Sequence, residues 1–197
     1  MSTSPSDSIG IDATLQSWKE SEELVTFTGK RVRPLALEER LVDIVDIAHA
    51  LAHLCRFNGH CQQFYSVAEH CVRVSERLPP ALRLWGLMHD AAEAYLVDLP
   101  RAVKLSRGLG DFYRIAEHQA MQTIATRFGL PWPEPPEVKV ADRALLELEL
   151  RDLLPAGASE NAARELLGDR IEPWAPDRAR ARFLDQFERL KETEQAR

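Results

Sequence analysis

The chain has 197 residues, 45% of them hydrophobic and 28% charged, with a formal net charge of −6. That length and apolar fraction suit one medium globular domain and exclude a disordered chain or a membrane protein. An acidic chain is also a poor non-specific binder of polymeric nucleic acid, because phosphate neutralisation supplies that affinity.

Residues 1–20 are polar and read as a loose N-terminus, without the basic segment and apolar stretch of a signal peptide. Residues 24–33 alternate β-branched and polar side chains around Gly29, the pattern of a short strand or hairpin, and Pro34 ends it. From about 38 onward Leu41, Ile44, Val45, Ile47, Ala48 and Leu51 recur at helical steps. Asn58-Gly59 breaks that helix. Ser66 then reads as an N-cap, with Glu69 completing a capping box, for a helix to about 78.

Pro79-Pro80 introduces a helix over about 81–96, and the loop around Asp98-Leu99-Pro100 follows. Another helix covers about 111–128 and stops at Gly129. Pro131, Pro133, Pro135 and Pro136 make a stiff loop before a long amphipathic helix over about 137–154. A Pro/Gly/Ala linker, short helical pieces and a charged helix from about 176 complete the chain. The expected class is all-α: a compact multi-helix bundle with a short N-terminal β element. The expected organisation is one domain over 21–155, with 156–197 a C-terminal helical extension packed on it. Cys55, Cys61 and Cys71 form no CxxC pair, and no run nears the roughly 18 apolar residues that span a bilayer. A soluble cytoplasmic protein with no membrane partner is therefore expected.

Three features have residue types that suit a helix poorly: His70, the pair His89-Asp90, and Asp142. A lone histidine on a half-buried face is ordinarily a packing residue, and a lone aspartate near a helix start is ordinarily a cap. The pair His89-Asp90 resists both readings, because Leu84-Trp85-Gly86-Leu87-Met88 precedes it and Ala91-Ala92 follows. Buried ionisable groups are costly unless paired or bound to a metal. Two imidazoles and two carboxylates suit a divalent transition ion, but spacing alone leaves the structural alternative open.

The order His70, His89-Asp90, Asp142 resembles the H…HD…D signature of the HD-domain metal-dependent phosphohydrolases. The strings Asp46 to Leu51, Cys55 to His60, Phe64 to His70, His89 to Tyr95 and Asp98 to Lys104 extend the likeness over about 24–154. Within that superfamily the chain is similar to bacterial 5′-deoxynucleotidases and to small phage dNTP triphosphohydrolases.

The resemblance implies one divalent transition ion (Mn, Co, Fe, Ni or Zn) held by His70, His89, Asp90 and Asp142. The ion would act as a Lewis acid on a phosphate oxygen and acidify an attacking water. Glu93, four residues after His89, would assist proton transfer, and Asp98 would stand near the water or sugar. Arg56 would grip the phosphate, its planar fork matching two oxygens, with Lys104 and His60 as further substrate contacts. His118, without the later histidines of dinuclear enzymes, is not counted as a ligand. The expected reaction removes the 5′-phosphate of a (deoxy)nucleoside monophosphate. Two alternatives stay open: a dNTP triphosphohydrolase releasing tripolyphosphate, and a non-catalytic nucleotide-binding module. Related nucleotidases imply a homodimer.

Overall fold

A computed structural model describes residues 16–155 and 170–195. Among these residues, eight α-helices, three 3₁₀ turns and one two-stranded hairpin make up most of the regular structure, so the all-α expectation holds. Strands β1 (Leu24–Val25) and β2 (Arg31–Val32) pair antiparallel in the register Leu24 with Val32 and Val25 with Arg31. Buried Asp46 holds the hairpin turn to the first helix, accepting from Thr28 N at 2.7 Å and Thr28 Oγ1 at 2.9 Å. Most of the expected loose N-terminus lies outside the described residues. At its inner end Trp18 is buried.

The helical periodicity starting near 38 becomes a 3₁₀ turn, Glu39–Leu41, and only then helix α1, Ile44–His53. Asp43 sets that start: its extended backbone breaks the run and its carboxylate accepts from Val45 N at 2.8 Å. Helix α2 spans Val67–Glu76, capped by Ser66 as expected. The expected capping box is only half made. The Glu69 carboxylate turns inward instead, accepting from Arg73 and from Trp174 N.

One helix was expected over 81–96, and two are found: α3, Arg83–Met88, and α4, Glu93–Leu96. Between them residues 89–92 form a turn held by i→i+3 bonds such as Glu93 N to Asp90 O. A short helix α5, Arg101–Lys104, occupies part of the expected loop. Helix α6 (Leu109–Phe128) ends on left-handed Gly129, α7 covers Pro136–Leu153, and α8 covers Pro176–Gln195. The expected linker and short helical pieces at 156–169 lie outside the described residues.

Helices α2, α3 and α8 pack on one another, with α1 against α8, α4 and α2, and α7 against α2. Ile47, Leu51, Val67, Leu87, Met88, Ile124, Leu145 and Phe183 meet in a single buried core. Leu145 belongs to the buried stripe Val138, Ala141, Leu145, Glu149, Leu153 of α7. One member of that stripe is a carboxylate. Among the described residues, no helix is long and apolar enough to cross a membrane.

Candidate metal centre

Four elements bring the site together. Helix α2 supplies His70 from its fully buried face, the turn after α3 supplies His89 and Asp90, and α7 supplies Asp142. The loop between α1 and α2 supplies Arg56. The sequence placed His89 and Asp90 inside a helix. They stand instead where the helix opens, so both side chains can turn toward α2.

His70 Nε2 lies 3.3 Å from His89 Nε2 and 3.2 Å from Asp142 Oδ1. Asp90 Oδ2 lies 3.2 Å from His89 Nε2 and 3.7 Å from His70 Nε2. One ligand atom each from His70, His89 and Asp90 falls within 4.8 Å of the others, a set that could hold a metal ion.

The other ring nitrogens fix the tautomers. His70 Nδ1 donates to Glu149 Oε1 at 2.7 Å, and His89 Nδ1 donates to Gly86 O at 2.8 Å. Those partners can only accept, so each neutral ring keeps its proton on Nδ1 and aims an Nε2 lone pair into the cluster. Two lone pairs facing each other at 3.3 Å repel unless positive charge lies between them. The residues fit a cation. Charge at the cluster follows the same logic. Where no metal ion supplies that positive charge, a proton does: burial opposes a charged His89, yet Asp90 beside it drives that imidazole pKa well above its usual value, so a metal ion would have to displace that proton. Burial likewise opposes ionised Asp90, but His89, His70 and Arg56 hold it far below the ordinary carboxylate range.

The sequence missed Glu149. It is fully buried and accepts from His70 Nδ1, from Tyr65 Oη at 2.8 Å, and from Arg56 Nε and Nη2 at 3.2 and 3.0 Å. A signal existed: Glu149 lies seven residues after Asp142, on the same face of α7 and inside its apolar stripe. Glu134, in the proline-rich loop, interacts electrostatically with the cluster. Burial raises its carboxyl pKa, while the charge of His89 lowers it.

Arg56 has two of its guanidinium nitrogens on Glu149, and its third, Nη1, stands 3.7 Å from Asp90 Oδ2. One nitrogen, not a free fork, faces the cluster. Lys104 Nζ is held between Glu93 Oε1 at 3.0 Å and Glu117 Oε1 at 2.8 Å. His60 follows the turn Phe57–Gly59 and is exposed.

Glu93 opens α4 and is 3% exposed. Burial first, then Asp90 and Asp98, raise its pKa well above the usual value. Asp98 is half-buried, and burial raises its pKa too, with Arg56 opposing. His118 packs edge-on against Trp132, their centroids 5.0 Å apart.

No family model matches the chain. It is similar to YfdR of Escherichia coli K12, 36% identical over 176 residues that cover 85% of this chain and 94% of YfdR. It is also similar to RCAP_rcc00048 of Rhodobacter capsulatus, 36% identical over 154 residues that cover 72% of this chain and 76% of that protein. With this identity carried over nearly the whole of YfdR, and with the helices that build the cluster inside the shared length, the chain belongs to the family that contains YfdR and RCAP_rcc00048.

Proposed function

We propose that this chain is a metal-dependent phosphohydrolase of the HD type that removes the 5′-phosphate of (deoxy)nucleoside monophosphates. The observation that carries the reading is the pair of facing Nε2 atoms, 3.3 Å apart, with Asp90 Oδ2 beside them. His70, His89, Asp90 and Asp142 would hold one divalent transition ion, since two imidazoles and two carboxylates suit that class. Such an ion, when bound, supplies a Lewis acid for a phosphoryl oxygen and lowers the pKa of water.

The protein's own groups do the rest. Glu93 Oε2 is buried with no hydrogen-bond partner among the described residues, so it is free to exchange a proton at the cluster. Arg56 Nη1 offers one charged donor to a phosphate oxygen. Charge supports a monophosphate over a triphosphate: Arg56 and Lys104 are both already paired with carboxylates. Three free thiols accord with a cytosolic setting.

A phosphate-release assay over nucleoside mono- and triphosphates, with Mn²⁺, Co²⁺ and Zn²⁺ added in turn, tests the reading. Phosphate release from monophosphates, lost on chelation and in Asp90→Ala, is expected. Tripolyphosphate release would replace the substrate assignment. Inactivity toward the whole panel would overturn the enzyme reading and leave a binding module.

A further inference from the structure

Glu93 has one oxygen pinned and one free. Its Oε1 accepts from Lys104 Nζ at 3.0 Å, while Oε2 is buried with no partner among the described residues. A buried, unsatisfied carboxylate oxygen is costly, so something must hold it there. Helix α4 cannot do so alone, being a single turn of four residues.

The support comes from two other elements. Lys104 ends α5, and its ammonium also donates to Glu117 Oε1 on α6 at 2.8 Å. The Tyr113 ring lies 5.2 Å from the same nitrogen. Gly110 lets α6 approach α5: a Cβ there would stand 2.5 Å from Lys104 O and 2.6 Å from Val103 O. Lys104 is thus fixed through its backbone and its head group together.

We propose that Lys104 and Glu117 are positioning residues that clamp Glu93 through Oε1, so that Oε2 is the oxygen presented to the reaction. This rests on the phosphohydrolase reading and replaces a substrate contact for Lys104. Two carboxylates already take two of the ammonium's three N–H donors and offset its charge, so little is left to bind a phosphate. Glu117 holds Lys104 so that the lysine cannot swing to solvent and release the carboxylate.

Steady-state kinetics of Lys104→Met, Lys104→Arg and Glu117→Gln, each with metal content and melting temperature measured, test the clamp. Lys104→Met should lower kcat on the order of 10²-fold, the scale of an ångström-size misplacement, with KM nearly unchanged and the metal retained. Glu117→Gln should lower kcat in the same direction by less, and Lys104→Arg should recover part of the loss. The double variant Glu93→Gln/Lys104→Met should be no slower than Glu93→Gln, because the lysine acts only through that carboxylate. A purely structural lysine would not give that non-additivity. A raised KM with unchanged kcat in Lys104→Met, or additive losses in the double variant, would overturn the clamp while wild-type hydrolysis left the function standing. Inactivity of the wild-type protein would overturn both.

Discussion

Glu149 accepts four hydrogen bonds, from His70, Tyr65 and Arg56, and it touches no solvent. Burial pushes its pKa up, but His70, Arg56 and Tyr65 pull it down to about 2. Replacing it with glutamine leaves the Arg56 guanidinium buried without its counter-charge, a change worth about 3 kcal/mol for a broken buried pair. Glu149→Gln should therefore unfold at lower denaturant concentration. It should also bind metal more weakly, because His70 loses the carboxylate that fixes its tautomer. Urea titration and metal analysis check the two effects separately. Val97 is strained: its φ of 72° and ψ of 155° lie in a region open essentially to glycine. It ends α4 immediately before Asp98, and its carbonyl accepts from Tyr113 Oη at 2.5 Å. Val97→Gly should raise stability by about 1 kcal/mol, strain relief outweighing the added chain entropy. An unchanged or lower melting temperature would show that the valine is not strained.

At the scale of elements, the site depends on how closely α3 approaches α2. Gly86 makes that approach possible: a Cβ there would stand 2.4 Å from Leu78 Cδ1 and 2.9 Å from Ser75 Cα. The same residue's carbonyl accepts from His89 Nδ1. Gly86→Ala should push the helices apart, cost about 1 to 3 kcal/mol as an overpacked contact, and separate His89 from His70. Chemical unfolding measures the first effect and metal affinity the second. Loss of stability with undiminished affinity would mean that the turn at 89–92 absorbs the shift. That turn also explains why periodicity misjudged 81–96. The residues keep helical φ and ψ at His89 and Ala92, and the hydrophobic pattern runs straight through them. The helix opens where His89 and Asp90 turn toward His70 of α2, a long-range relation that no local pattern encodes.

Across the whole molecule, the C-terminal helix closes the body behind the site. Phe183 and Ala179 of α8 are fully buried, and α8 packs on α1, α2 and α3. Trp174 N donates to Glu69 Oε2 at 2.7 Å, tying the approach to α8 onto α2 one residue before His70. Phe183→Ala should cost about 3 to 5 kcal/mol, a drop in melting temperature on the order of 10 °C for a chain of this size. The proposed metal ligands all lie elsewhere, so the folded variant should bind metal as the unaltered chain does. Calorimetry with and without added metal tests both statements, and loss of metal below the transition would make α8 part of the site.

The sequence by itself determined the helical class, the stops at Pro34 and Gly129, the Ser66 cap and the oddity of the pair His89-Asp90. Each rests on local periodicity, backbone preference or the presence of ionisable residues among apolar ones, while the grouping of that pair with His70 was implied by a family resemblance. Only the tertiary structure decided what those side chains do. Glu149 looks like one more helix glutamate until α2 and the Arg56 loop meet it. Arg56 and Lys104 look like free cations until carboxylates 93 and 13 residues away pair with them. Side-chain partners are chosen by packing between elements, and the energy of a buried charge depends on its partner, so neither can be read along the chain.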